Sequence, residues 1–325
     1  MPDSKESDII LRVEHITKKF PMPGGRTLTA CDDISLRVRK GETAAIVGES
    51  GCGKTTLLKM IMNMQPPTSG RILLHENDIT KLTGEAKREN CRHIQMVFQD
   101  PTSAFNPKMR IKDIVCEPLL NFGLLSRKDM EKKARELLAQ VDLPADFAER
   151  YPHNMSGGQR QRVAIARALA LEPEIIACDE ATSALDVSVQ DTIIRLLVRL
   201  QKEKGITYLF ICHDLALVSL FSHRIAVMYL GSIMEKLDGD RLEEARHPYT
   251  QALLKAVFST DQEKNQKISI LAGDIPSPLD IPSGCPFRNR CEHCRDMCEK
   301  KKPELRELAP NHSIACHYPL GTVHK

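Results

Sequence analysis

The sequence has 325 residues, 42% of them hydrophobic and 27% charged, which is enough chain and apolar content for a sizeable core and excludes a disordered or fibrous protein. A formal net charge of +3 is too mild to mark a nucleic-acid surface, and with no Trp and only 4% aromatic residues the chain lacks the stacking platforms of a single-strand binder. No apolar run approaches the ~20 residues that span a bilayer, and residues 1–8 lack the apolar stretch of a secretory leader, so a cytoplasmic chain is expected.

Ile9-Ile10-Leu11-Arg12-Val13, the alternating Ile34, Leu36 and Val38, and Thr43-Ala44-Ala45-Ile46-Val47 are β-type runs separated by Gly, Pro and Asp turns. The last of them leads into Gly48-Glu49-Ser50-Gly51-Cys52-Gly53-Lys54-Thr55, which satisfies G-x-x-x-x-G-K-[ST]. Residues 55–64 follow without a breaker, so strand, glycine loop and helix succeed one another in the order that phosphate binding requires. The glycines let successive N–H groups turn inward around a β-phosphate. Lys54 adds a positive charge for the outer phosphates, and Thr55 offers a hydroxyl to Mg²⁺. The loop alone does not separate kinases, GTPases, helicases and transporters.

From about residue 102 to 171 the character is helical: Ser126 and Asp129 have capping-box spacing, and Met130, Ala134, Leu137, Leu138 and Val141 fall on one face. Met155-Ser156-Gly157-Gly158-Gln159 precedes a helical stretch, 160–171, whose first turn Ser156 can cap and whose amides can face an anion. β-type runs return at Ile175-Ile176-Ala177-Cys178 and Tyr208-Leu209-Phe210-Ile211, the βαβ rhythm of a parallel sheet. The first ends in Asp179-Glu180, carboxylates placed to hold Mg²⁺ through water and to polarise an attacking water. Two acids after a strand also suit a solvated loop, and the phosphate loop upstream favours the catalytic reading. Residues 224–235, turning at Gly231-Ser232, read as a closing hairpin.

From about Asp261, Pro276, Pro278, Pro282 and Pro286 crowd together, with no helical period until the charged run 299–307. This gives a division into 1–260 and a C-terminal extension, 261–325. Six of the eleven cysteines are scattered singly, whereas five fall between Cys285 and Cys316, the clustering of a metal site.

The signature Met155-Ser156-Gly157-Gly158-Gln159 resembles that of the ATP-binding cassette family, usually Leu-Ser-Gly-Gly-Gln; the Leu to Met departure is a near-isosteric apolar swap. The resemblance extends over roughly residues 11–235. It implies an α/β fold, a P-loop NTPase core with a mainly parallel sheet and an antiparallel β subdomain, and an inserted helical subdomain at about 102–171. Gln99 resembles the family's Q-loop glutamine, a Mg²⁺ contact, and Ser183-Ala184-Leu185-Asp186 the D-loop that crosses to the partner. His213 resembles the switch histidine at the γ-phosphate, and Phe20 stands where an aromatic ring stacks on adenine. The catalytic set implied is Glu180, His213, Gln99 and Lys54. Nucleotide contacts are implied for Phe20, for Gly48, Glu49, Ser50, Gly51, Cys52, Gly53, Lys54, Thr55 and Thr56, and for Gln99, Asp179 and Asp186, with Ser156, Gly157, Gly158 and Gln159 reaching the nucleotide of a head-to-tail partner. Thr55, Gln99 and Asp179 are the implied Mg²⁺ contacts. A carboxylate at 180 with a histidine at 213 implies competent ATP hydrolysis.

Phe98-Gln99-Asp100-Pro101, Phe105-Asn106-Pro107, residues 178–190 and His247-Pro248-Tyr249-Thr250-Gln251-Ala252-Leu253 resemble the subfamily that imports oligopeptides, dipeptides and, in some members, nickel. That resemblance implies a second, related cassette subunit in a heterodimer, two transmembrane permease subunits, an external substrate-binding protein, and a peripheral place on the cytoplasmic face of the inner membrane. Its cysteine motif is matched by Cys285, Cys291, Cys298 and Cys316 and implies a [4Fe–4S] cluster, with Cys294 an alternative ligand. Zn²⁺ is the rival, since four thiolates also close a tetrahedral site. Two other readings are a cassette acting on nucleic acid or ribosomes, disfavoured by the lack of a second cassette or long coiled coil, and a redox-sensing regulatory module.

Overall fold

The computed structural model describes residues 8–182, 185–258 and 276–321. Ser183 and Ala184, within the expected D-loop, and the expected boundary near residue 260 lie outside the described residues. The chain divides into two compact units, one from residues up to 81 and from 212 onward, the other from residues 82–211.

The first unit opens with β1 (Ile9–Pro21), β2 (Thr27–Arg39), β3 (Thr43–Val47), α1 (Lys54–Ile61), β4 (Ser69–Leu74) and β5 (Asn77–Asp78). The second holds α2 (Gly84–His93), β6 (Ile94–Val97), α3 (Ile111–Asn121), α4 (Met130–Gln140), α5 (Gly157–Leu169), β7 (Ile175–Asp179), α6 (Val187–Lys204) and β8 (Thr207–Cys212). The first unit then resumes with α7 (Leu215–Ser219), β9 (Arg224–Tyr229), β10 (Ser232–Asp238), α8 (Pro248–Phe258), α9 (Asp296–Lys300), β11 (Arg306–Ala309) and β12 (His312–Ile314).

In the first unit, β2, β1, β4 and β5 form an antiparallel sheet in that order. Its pattern follows the pleat: Ile34, Leu36 and Val38 are buried while Asp33 and Arg37 face solvent. β3 is buried at every residue and pairs in parallel with β9, as an unalternating apolar strand should. β9 and β10 form the expected hairpin, turning through Leu230 and Gly231, both at positive φ (40° and 78°), which matches the twist of the flanking strands. β12 adds to β10 and β11 to β12, so the end of the chain extends this sheet.

In the second unit β6, β7 and β8 are parallel neighbours, and β7 and β8 are almost wholly buried. Helices α3, α4 and α5 pack on one another. Ile114, Val115 and Leu119 of α3, Ala134, Leu137 and Leu138 of α4, and Val163, Ile165 and Leu169 of α5 are buried. Each large aliphatic among them contributes about 1.5–3 kcal/mol.

Two local expectations need correction. Ser126 does not cap α4: its hydroxyl bonds the Asp129 carboxylate at 2.7 Å inside a turn, and Asp129 itself occupies the cap position. The charged run 299–307 is not one helix. α9 stops at Lys300, because Pro303 biases its predecessor away from helical backbone, and Arg306–Ala309 is a strand.

A buried polar knot fastens the last strands. Glu235 of β10, fully buried, accepts hydrogen bonds from His312 Nε2 at 2.8 Å, from Arg246 N–H at 2.7 Å and from His247 N–H at 3.2 Å. Burial alone would raise its pKa, but these bonds outweigh burial and hold it below the usual carboxylate range. Burial pushes His247 down to about 4, so its ring is neutral and Nδ1 can accept the Tyr249 N–H at 3.0 Å at the start of α8. Glu235→Ala strands these donors and is expected to cost about 3 kcal/mol in urea unfolding. The depressed pKa makes this contribution present above the unfolded value of ~4.3 and lost as pH falls through the lower folded one, so the wild-type advantage over Glu235→Ala shrinks below pH ~4.

Candidate functional site

In the first unit the chain leaves β3 into the glycine loop with little room. A Cβ on Gly48 would lie 2.1 Å from the Met228 carbonyl oxygen; one on Gly53, whose φ is +105°, would lie 2.1 Å from that of Ala30. Neither position accepts a side chain without displacing backbone. The Gly231 N–H donates to the Cys52 carbonyl at 2.9 Å and the Asp32 N–H to that of Gly231 at 2.8 Å, so the hairpin turn and β2 fasten the loop.

Lys54 opens α1 and is 5% exposed, with its ammonium donating to the carbonyls of Gly48 at 2.7 Å and Glu49 at 3.0 Å. A positive charge thus sits against the loop's own carbonyls at a helix N-terminus, a place suited to an anion. Cys52 is buried with Sγ 3.8 Å from Lys54 Nζ, and burial raises its thiol pKa, leaving a small neutral filler. Ser50, Gly51 and Thr55 are exposed and Thr56 is half-buried. Phe20, half-buried near the end of β1, has the Lys18 ammonium 5.0 Å from its ring centre. His213 follows β8 and is exposed; the next residue, Asp214, caps α7 by accepting the Leu217 N–H at 3.0 Å.

In the second unit the amide of Gln99 donates to the Glu180 carboxylate at 3.0 Å, so two expected catalytic residues meet. Glu180 lies just past β7 with φ +46°, in the left-handed region, and its N–H donates to Ile211 at 3.0 Å. Asp179, half-buried, ends the strand. Ser156 caps α5 in a reciprocal box: its Oγ accepts the Gln159 N–H at 3.3 Å and its own N–H donates to Gln159 Oε1 at 2.9 Å. Gly158 packs against Val189 so closely that a Cβ would lie 2.5 Å from its methyl, whereas Gly157 keeps 3.4 Å to Leu185. Asp186 is exposed and stands at the cap position of α6.

In the tail, Cys285, Cys291, Cys298 and Cys316 line one cavity with His247, Phe287 and His317, while Cys294 is absent from its lining. Burial, with a further rise from the neighbouring cysteines, pushes the Cys285 thiol up to about 12 and that of Cys316 to about 11. Among the described residues, however, no group of three or more His, Cys, Asp or Glu is arranged to hold a metal ion. The iron–sulfur expectation therefore finds the four donors at one cavity but not a formed ligand set. Sequence patterns carried no sign that Arg290 of this tail meets Glu49 of the phosphate loop, 241 positions away.

Residues 31–183 match the family model "ABC transporter", and residues 237–298 match "Oligopeptide/dipeptide transporter, C-terminal region". The probable peptide ABC transporter ATP-binding protein y4tS of Sinorhizobium fredii is 46% identical over 98% of this chain and 93% of its own length. The chain belongs to the ABC transporter family. The oligopeptide transport ATP-binding protein AppF of Bacillus subtilis is 44% identical over 95% of this chain and 97% of its own. Among solved structures, the cassette MJ0796, a dimer bound to ADP and Pi, is 32% identical with a TM-score of 0.64, covering 70% of this chain and 98% of that one. Part of the cbiONQ transporter, cbiO1 of Clostridium perfringens, is 28% identical with a TM-score of 0.66, over 78% of this chain and 96% of its own. The fold is that of a P-loop ABC ATPase with mixed sheets and helices. Among the described residues no helix is long and apolar enough to cross a membrane.

Gly53→Ala in this cassette drives a methyl into the Ala30 carbonyl and forces a side chain onto positive φ. The expected result is about 1–3 kcal/mol of lost stability in thermal unfolding, together with loss of measurable nucleotide binding in the same preparation.

Proposed function

We propose that this cassette is the ATP-binding and ATP-hydrolysing subunit of a peptide importer. The observation that carries the reading is the phosphate loop: a buried strand, glycines pressed under neighbouring carbonyls, and the Lys54 ammonium held at 2.7 Å and 3.0 Å inside the loop at the start of a helix. A bare anion site would not need a carboxylate held by an amide, and Glu180 with Gln99 supplies one. Peptide cargo, rather than nickel or another metal chelate, follows from relatives named for peptide and oligopeptide transport and from the matching C-terminal region.

In this reading the loop amides and Lys54 bind the phosphates, and Thr56 and Phe20 position the nucleotide. Glu180 accepts the proton of the attacking water, held in orientation by Gln99, and His213 contacts the γ-phosphate. Oxygen donors from Thr55, Gln99 and Asp179 suit a hard cation, and Mg²⁺ bound with ATP supplies charge neutralisation between the phosphates. Ser156, Gly157, Gly158 and Gln159 serve the nucleotide of a second cassette, and Asp186 reaches the same interface. The helices of 102–171 form the inserted subdomain that passes closure to two permease subunits at the cytoplasmic face of the inner membrane. The second cassette is a different, related chain, and an external binding protein delivers the peptide. Glu180→Gln is expected to bind ATP normally and lower steady-state turnover of the assembled transporter by about 10²–10⁴-fold; undiminished phosphate release from that variant would remove Glu180 from its role.

Residues 261–325 act in this proposal as a cysteine-rich extension that takes a [4Fe–4S] cluster rather than Zn²⁺. Four cysteines border one cavity, four thiolates suffice for one cluster, and the resemblance of their spacing to the subfamily's cysteine motif favours iron and sulfur. Thiols with raised pKa values must lose protons on loading, so assembly is favoured by alkaline conditions. Anaerobic purification is expected to give a brown protein with iron and sulfide in equal amounts. Cys291→Ser should lose both and Cys294→Ser should keep them, whereas a colourless protein with stoichiometric zinc would reject the cluster.

A further inference from the structure

Glu49, the second residue of the phosphate loop, is a carboxylate in a segment whose task is to receive a polyanion. It does not stand alone. Arg290 donates from Nη1 and Nη2 to the two Glu49 oxygens at 2.7 Å and 3.1 Å, a bidentate pair whose side chains are only 5% and 21% exposed. The guanidinium lies 5.8 Å from the Tyr229 ring centre, and Phe287 packs against both Tyr229 and Tyr249. The Tyr249 hydroxyl accepts the Glu49 N–H at 3.1 Å. The residue is thus fixed through its backbone by α8 and through its side chain by the tail.

The segment that carries Arg290 is itself rigidly wound. Arg288 N–H donates to the Cys285 carbonyl at 3.1 Å, Arg290 N–H to that of Phe287 at 3.0 Å, and Cys291 N–H to that of Arg288 at 3.3 Å. Arg290 therefore arrives at the loop from a tight turn between two cysteines rather than on a flexible arm. An unpaired carboxylate in the loop that receives the triphosphate would add a like charge that repels it, the more so at low salt. It would also be free to swing towards Lys54 and occupy the charge meant for the nucleotide.

We propose that Arg290 is a positioning residue for ATP binding: it neutralises Glu49 and ties it back, so that the loop presents the charge of Lys54 to the triphosphate. The inference rests on the reading of this loop as the ATP site.

Equilibrium titration of the full-length chain with Mg-ATP, Mg-ADP and AMP tests it, with circular dichroism and thermal unfolding as controls for folding. Arg290→Met is expected to bind ATP about tenfold more weakly, with the loss growing with the number of phosphates and shrinking in high salt. Adding Glu49→Gln to Arg290→Met should regain at least threefold of the lost affinity. A folded Arg290→Met with wild-type affinity, or a double variant as weak as the single, overturns the proposal. Should Arg290→Met fail to fold, Glu49→Gln alone at low salt decides: at least twofold tighter ATP binding is expected, and equal or weaker binding overturns it. A wild-type chain that binds no ATP would instead overturn the reading of the loop, and this inference with it.

Discussion

The carbonyls of Met228 and Ala30 stand where any side chain on Gly48 or Gly53 would have to go, and this close approach of backbone to backbone holds the loop against its neighbours. Several neighbouring elements of the first unit support that contact. β3, buried at every residue, sets where the loop begins; the turn between β9 and β10 hydrogen-bonds the loop at Cys52; and β2 hydrogen-bonds the turn. In the proposed reading, a helix N-terminus and one ammonium held in this frame make the anion site.

Much of this was legible in the residues. The order of strand, glycine loop and helix is a local property, read from adjacent positions, and β3, the loop and α1 form where that order puts them. The reciprocal cap at Ser156 was half legible: the serine was evident as a cap, while the return bond from Gln159 needed the turn itself. Where a breaker or a competing side chain decided the outcome, local pattern failed. Asp129 captured the Ser126 hydroxyl that seemed free for the helix, and Pro303 divided a charged run into a short helix and a strand.

Pairings between distant segments were not legible at all. Glu235 reads as one more charge at the end of a strand, yet it is the buried acceptor on which His312 and the chain at 246–247 converge. The same holds for Glu49, whose partner lies in a stretch that sequence alone separates as a tail. Prolines and cysteines announced a change of character there, but the sheet edge offered by β10, which β12 joins, has no local signature. The tail is thus an integral part of the first unit's sheet and of the electrostatics around its loop.

Glu180 occupies a backbone region in which glycine is at ease and a side chain is not, a conformational cost of about 1–2 kcal/mol. In that conformation the Glu180 carboxylate accepts the Gln99 amide N–H at 3.0 Å beside the strand end, a bond that a glycine has no side chain to accept. A library of this gene sorted for heat tolerance alone would therefore drift towards glycine at 180, and under the role proposed for Glu180 its most robust survivors would be inert.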